Sequence, residues 1–406
     1  MKIHKIILFV FVFGLFSVQG AFAQLTEEEA GIRRIGQNEF KEMKGVRIGK
    51  ASLKAGVSVE ERYDSNIFLT SNDKKGDYLN ILSPKFLLDL PFGIDERHLA
   101  QLMYGADVGS YSDERGQNYV NQDLAGNLNL RLPFGYFNVQ DDYLDTVDRA
   151  QTEFTTQVHR KQNTAQTTLG VEMNKLTYEI GYTNFNENYV DEQFQPFDYT
   201  EHIFSTTAFY QMLPKTKALL EYDRGVIRYI KDQTRDGNFN QVMTGLKGNI
   251  TGKTVGIVKV GFQSRDYDVM GRSGFSGFVS EAGTITKFSD RTNLTLKYIN
   301  TAVESTYANN NYYNANEFRA ELEQKLMGNY SVLLASQYDR NRYPEFDPTL
   351  DVRRHDTILT EGLTLQYKIK DLGKASLGYE YKEDISNIDN LDYNRNLVFL
   401  RFDLLL

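Results

Sequence analysis

Asn127-Leu128-Asn129-Leu130-Arg131-Leu132-Pro133-Phe134-Gly135 is the stretch that decides the fold. Three leucines alternate with Asn, Asn and Arg, and a Pro-Phe-Gly turn follows. In an extended chain successive side chains point to opposite faces, so one face of this segment is wholly apolar and the other polar and charged. A second alternating run begins at Tyr136, so the unit is a β-hairpin.

The same unit recurs about every 40 residues. Leu90-Pro91-Phe92-Gly93 precedes it. Asn174-Lys175, Pro214-Lys215, Gly252-Lys253, Ser289-Asp290, Gly328-Asn329 and Asp371-Leu372-Gly373 follow. Alternation is equally clean in Leu176–Tyr182, Asn293–Tyr298, Phe318–Glu323 and Leu377–Lys382. The polar face of these segments carries Glu, Lys and Arg, which a dry core would not tolerate. Water must therefore reach that face, while the Leu/Tyr face meets lipid. About 18 strands fit between residues 48 and 406. Short turns fall on one rim and long polar connections, such as 64–76, 188–198 and 344–354, on the other. The expected fold is all-β: a single transmembrane antiparallel barrel of about 18 strands with a short N-terminal periplasmic helix or tail.

Composition agrees. The 406-residue chain has 26 Tyr and 26 Phe, no Trp, no Cys and 7 Pro. The absence of Cys excludes disulfides, thiol chemistry and a lipid-modified cysteine anchor. Lys2 and Lys5, the apolar run Ile6 to Val18 and Ala21-Phe22-Ala23 read as an export signal over 1–23. Residues 24–47 form an N-terminal periplasmic segment in which Thr26/Glu29 resemble a capping box and Ile32, Ile35, Phe40 and Met43 recur at helical spacing. Residues 48–406 are the barrel. The formal charge of −8, about −10 without the leader, argues against nucleic acid as a partner. Together these features place the chain in the outer membrane of a Gram-negative cell, with outer-membrane lipid as its surroundings.

Catalytic signals are thin. His98, His159, His202 and His355 show no metal-ligand spacing, and nucleophile-elbow, P-loop and dinucleotide motifs are missing. The expectation is no enzyme, no metal and no cofactor. Paired acids occur at Asp141/Asp142 and Glu221/Asp223; weaker alternatives are a Ser205/His202 pair, Glu221/Asp223 as glycosidase-like carboxylates on one side of a strand, and a Ca²⁺ loop from Asp389, Asn390, Asp392 and Asn394. Tyr78, Tyr111, Tyr119, Tyr143, Tyr189, Tyr229, Tyr298, Tyr312, Tyr343 and Tyr367 lie near strand ends and read mostly as membrane-interface girdles. The residues expected to line a water-filled pore are Asn129, Arg131, Glu179, Glu221, Lys247, Lys259, Lys297, Arg319, Glu321, Glu380 and Arg401.

Val59-Glu60-Glu61-Arg62-Tyr63-Asp64-Ser65-Asn66-Ile67-Phe68 resembles the opening of the putative β-barrel porin 2 family, whose first strand ends in an acidic-x-Tyr-Asp-x-Asn-Ile run. Families of this kind are outer-membrane barrels, and several are similar to proteins encoded with exopolysaccharide or capsule machinery. The resemblance implies export of a polysaccharide, with periplasmic export or synthase proteins as partners. A general or sugar-selective diffusion porin is the alternative. A plugged barrel acting as an enzyme or adhesion scaffold is a third.

Overall fold

The structure is a computed structural model that describes residues 45–147, 153, 156–269, 271–307, 310–347, 350–370 and 372–405. The leader expected over 1–23 and the helix expected over 24–45 lie outside these residues, apart from Gly45. The strands are β1 Val46–Ile48, β2 Ala51–Asp64, β3 Asp77–Phe92, β4 His98–Tyr111, β5 Tyr119–Leu132, β6 Gly135–Thr146, β7 Arg160–Met173, β8 Leu176–Tyr189, β9 Tyr199–Leu213 and β10 Thr216–Tyr229. They continue with β11 Gly237–Asn249, β12 Thr254–Tyr267, β13 Phe275–Ser289, β14 Thr292–Glu304, β15 Tyr312–Lys325, β16 Tyr330–Arg342, β17 His355–Ile369, β18 Gly373–Ser386 and β19 Tyr393–Leu405.

From β2 to β19 each strand pairs antiparallel with the next. The ring closes where β19 pairs with β2, from Leu397 opposite Asp64 to Leu405 opposite Gly56. This is the closed 18-strand barrel that the hairpin repeat predicts. Closure pairs every strand from β2 to β19 on both sides, which is how a sheet crosses hydrocarbon. Two local readings need correction. Val46 and Arg47, expected in the N-terminal segment, belong to β1, which turns at Gly49-Lys50 and pairs with the start of β2. The first Leu-Pro-Phe-Gly is not itself a turn. β3 runs through Phe92, and the reversal uses Gly93 to Arg97 with Asp95 and Glu96 both at φ 54°.

The two faces of the wall are the inverse of a soluble protein. Along β8, Leu176, Tyr178 and Ile180 are exposed, while Thr177, Glu179, Thr183 and Glu187 are buried. Along β19, Val398, Leu400, Phe402 and Leu404 are exposed and Asp403 is buried. The convex face is thus apolar and the concave face charged, as a lipid-embedded barrel requires. Toward the loop-bearing rim the outward face changes character. Tyr222, Tyr298 and Tyr379 donate hydroxyl hydrogen bonds to Asn240 (2.8 Å), Asn316 (3.4 Å) and Asn396 (2.8 Å), each one rung higher on the following strand. Tyr104 does the same to Gln122 at 3.2 Å. Amphipathic rings topped by amides mark the outer edge of the apolar band.

Candidate functional site

The eleven side chains expected in the pore do not gather at one point; the closed ring distributes them. Lys259 of β12 lies between Glu221 of β10 (3.0 Å) and Glu281 of β13 (2.9 Å), and all three are buried. Glu380 accepts from Arg395 at 2.7 Å, and Arg395 also faces Asp64 at 3.6 Å. Arg401 pairs with Asp403 at 2.6 Å and donates to Ser58 at 3.1 Å. Arg319 pairs with Glu317 at 2.5 Å and sits opposite Lys297, with Glu321 one rung lower. Glu179 accepts the Tyr136 hydroxyl. Arg131, half-exposed near the short-turn rim, pairs with Glu172 at 2.7 Å, and Asn129 lies opposite Asn138. A cation and an anion two strands apart can meet only on the concave side, where curvature brings side chains together. Each charge held this way is paired, because an isolated one would carry a large desolvation penalty.

The inward face is not uniformly wet. Phe209, Leu219 and Ile257 form a buried inward cluster on β9, β10 and β12, with Ile285 against it. Lys247 and Lys217 hold their ammonium groups 5.3 and 5.8 Å from the Phe209 ring centroid. The sequence signal for this patch is the run Ala218-Leu219-Leu220, where apolar residues occupy both faces.

The long connections fold over the opening. Glu153, between β6 and β7, accepts from Ser305 Oγ (2.6 Å), Thr306 N (2.6 Å) and Thr306 Oγ1 (2.7 Å), between β14 and β15 on the far side of the ring. Glu153 is seven positions beyond Thr146 in the chain, and such a segment spans at most about 25 Å fully extended. The outer mouth is therefore bridged. Beside the bridge, Arg354 pairs with buried Asp356 at 2.9 Å and lies 4.6 and 4.8 Å from the Tyr307 and Tyr343 ring centroids. Tyr307 Oη donates to Asp347 at 2.8 Å, and burial together with that bond pushes the phenol up to about 12. A second knot joins Arg235, whose guanidinium donates to Ser305 O at 2.7 Å and stands over Phe197 and Tyr229. Tyr229 Oη and Arg265 both reach Glu304.

These contacts correct the girdle reading for several tyrosines. Tyr78, Tyr298 and Tyr367 are exposed on the outward face, but Tyr111, Tyr189, Tyr229, Tyr312 and Tyr343 are buried at or beneath the loops. Near a strand end, a ring under an inward-folded loop has the same sequence signature as a ring in a bilayer interface. A recurrent closing bond also escaped the sequence reading. Asn118, Asp198 and Asp236, each directly before a returning strand, accept the backbone N–H of Tyr111 (2.8 Å), Tyr189 (2.7 Å) and Tyr229 (2.7 Å). The signal was present as an Asx residue ending the loop.

The alternative chemistries find no geometry. His202 and Ser205 lie on opposite faces of β9. His202 contacts the Tyr182 hydroxyl at 2.8 Å, whereas Ser205 sits opposite inward Asp223. Asp141 and Asp142 likewise diverge, Asp141 accepting from Asn163 at 2.8 Å on the outer face. Glu221 and Asp223 do share the inward face, but Glu221 is bound to Lys259 and Asp223 to Gln241. In the proposed Ca²⁺ loop, Asn394 Oδ1 accepts from Lys74 at 2.7 Å, and no metal-ligating cluster is found among the described residues.

Two solved structures are similar to this chain. Crystal structures of OccK1 (OpdK) from Pseudomonas aeruginosa and OccAB3 from Acinetobacter baumannii are 10% and 11% identical. Each match covers 87% of this chain and 99% of that chain, with TM-scores of 0.50 and 0.46. At such identity the likeness to OccK1 shows the fold alone. No curated protein matches the chain. The model of the family described as putative beta-barrel porin 2 matches residues 41–404. With nearly the whole barrel matched, the chain belongs to the putative beta-barrel porin 2 family, and is an outer-membrane β-barrel porin.

Proposed function

We propose that this barrel is a passive diffusion channel for small polar and charged solutes, with an outer mouth held narrow by its own loops. The bridge from Glu153 to Ser305 and Thr306 carries the reading. A solute entering from outside must pass beside it, then along an inward face of alternating cations and anions. Asn129, Arg131, Glu179, Glu221, Lys247, Lys259, Lys297, Arg319, Glu321, Glu380 and Arg401 are the proposed lining. Their paired charges keep the route hydrated without a strong field of one sign.

Export of an exopolysaccharide, helped by periplasmic synthase proteins at the short-turn rim, is the second reading. The first-strand sequence favours it. It requires the bridge to open and the mouth tyrosines to be free for sugar rings. Here Tyr199 stacks on Tyr229 at 5.3 Å and Tyr267 on Tyr312 at 6.2 Å, so these faces are already occupied by each other.

Planar-bilayer recordings test the proposal, with liposome swelling in sugars of increasing length as a second arm. The wild type should conduct in small steps and admit monosaccharides but not long oligosaccharides. Glu153→Ala should raise unit conductance about twofold or more, and Arg131→Glu/Arg319→Glu should shift selectivity toward cations. Wild-type permeability to long oligosaccharides, with no effect of Glu153→Ala, would favour the export reading instead.

A further inference from the structure

The outward face of β15, β16 and β17 carries a feature that solute passage does not use. Register places Phe318, Tyr338 and Leu359 side by side on one outward rung. The next rung toward the loops holds Asn316, Arg340 and Thr357, and the last holds Asn314, Arg342 and His355. Arg340, Arg342 and His355 are exposed, while Asp339 and Asn341 between them are buried on the inner side. The two guanidinium side chains therefore project together from the convex wall, their Cα atoms about 7 Å apart.

Three observations converge on these positions. Neither Arg340 nor Arg342 has an ion-pair or hydrogen-bond partner among the described residues. Among the described residues most other arginines are paired, and the chain is acidic overall, so two free arginines on adjacent rungs stand out. The rungs also have a defined depth. The Phe318/Tyr338 rung is level with Tyr298, whose hydroxyl reaches Asn316 one rung up, so it belongs to the tyrosine edge of the apolar band. Arg340 and Arg342 thus sit directly above hydrocarbon, at the level of lipid headgroups. On the outward face of β15 to β18 the nearest carboxylates lie lower. Glu361 is held by the Ser336 hydroxyl at 2.8 Å, and Glu383 stands opposite Leu359.

We infer that Arg340 and Arg342, with His355 beside them, form a binding site for the phosphorylated headgroup of an outer-leaflet glycolipid. Two planar forks can each grip phosphate oxygens in a bidentate manner. The Phe318/Tyr338/Leu359 rung beneath would meet the start of the acyl chains, so one lipid molecule satisfies both rungs. A zwitterionic lipid meets the apolar rung equally well but leaves the guanidinium pair without a net counter-charge.

Native mass spectrometry of the detergent-solubilised full chain tests this with three probes: bis-phosphorylated lipid A, the same lipid dephosphorylated, and phosphatidylethanolamine. The wild type should retain bis-phosphorylated lipid A at least about fivefold more than either control, and Arg340→Gln/Arg342→Gln should abolish that preference. Arg224→Gln, an outward arginine whose neighbours on the same face are Tyr222 and Val226, should leave it intact. A heat-resistant compact gel band shows that each variant has folded. Equal retention of all three lipids by the wild type overturns the inference. So does an unchanged preference in the folded double variant.

Discussion

Arg354 shows how one side chain organises the outer mouth. Its charge is balanced by Asp356, and its flat faces rest on Tyr307 and Tyr343, so the loops carrying these residues are tied at one point. The Tyr307 hydroxyl adds a tie to Asp347, and that tie is sensitive to base. The folded phenol titrates near 12 against 10.0 for a free tyrosine, so the folded loop keeps a proton that the released loop loses. The contact is complete below pH 10 and is lost as pH rises through about 12. Unit conductance of the wild type should climb over that window, and Tyr307→Phe, which has no proton to lose, should remove the climb. An identical alkaline rise in the Phe variant would show that another group opens the mouth.

Three hairpins on the loop side share one device. An Asx side chain at the end of the loop accepts the N–H at the end of the outgoing strand, which fixes where pairing stops and the loop begins. A charged acceptor of this kind contributes about 1.5–3 kcal/mol, and its loss strands a backbone donor. Asp236→Ala should therefore speed amide exchange at Tyr229 by about one to two orders of magnitude. The barrel's heat-resistant gel mobility should stay unchanged, because the ladder between β10 and β11 is untouched. A variant that loses the compact barrel altogether would mean the bond is part of assembly rather than of loop closure. The short-turn rim has no need of the device, since two-residue connections such as Pro133-Phe134 leave little chain to fix.

The barrel as a whole depends on closure between β19 and β2. Val59 is opposite Phe402 on one side and Leu82 on the other, in the strand that joins the two ends of the sheet. Proline there removes a ladder donor from an interior strand, and in hydrocarbon no water replaces the lost partner. Val59→Pro should abolish the heat-modifiable compact form in detergent. A variant of unchanged mobility and β-sheet circular dichroism would show that this seam tolerates a missing rung. Closure also explains the inward charge pairs. Lys259 meets Glu221 from two strands away because the wall curves, and a flat sheet would hold the same residues farther apart.

Strand positions, hairpin order, closure into about 18 strands and the polarity of the two faces were all legible in the chain. They rest on a period-two pattern and on turn residues, which are local properties of consecutive residues. The Asn/Arg face around Asn129 and Arg131 and the leucines beside it needed no tertiary information to be told apart. Pairing partners did, because Glu221 and Lys259 are 38 residues apart and meet across an intervening strand only when the wall curves. The fate of the tyrosines was equally hidden. Tyr298 and Tyr343 share one girdle reading in the chain, yet Tyr298 faces lipid from within β14 and Tyr343, just past β16, is buried under Arg354, a difference set by the inward fold of the loops. Alternation states which face a side chain takes, and curvature and loop path then choose its neighbours.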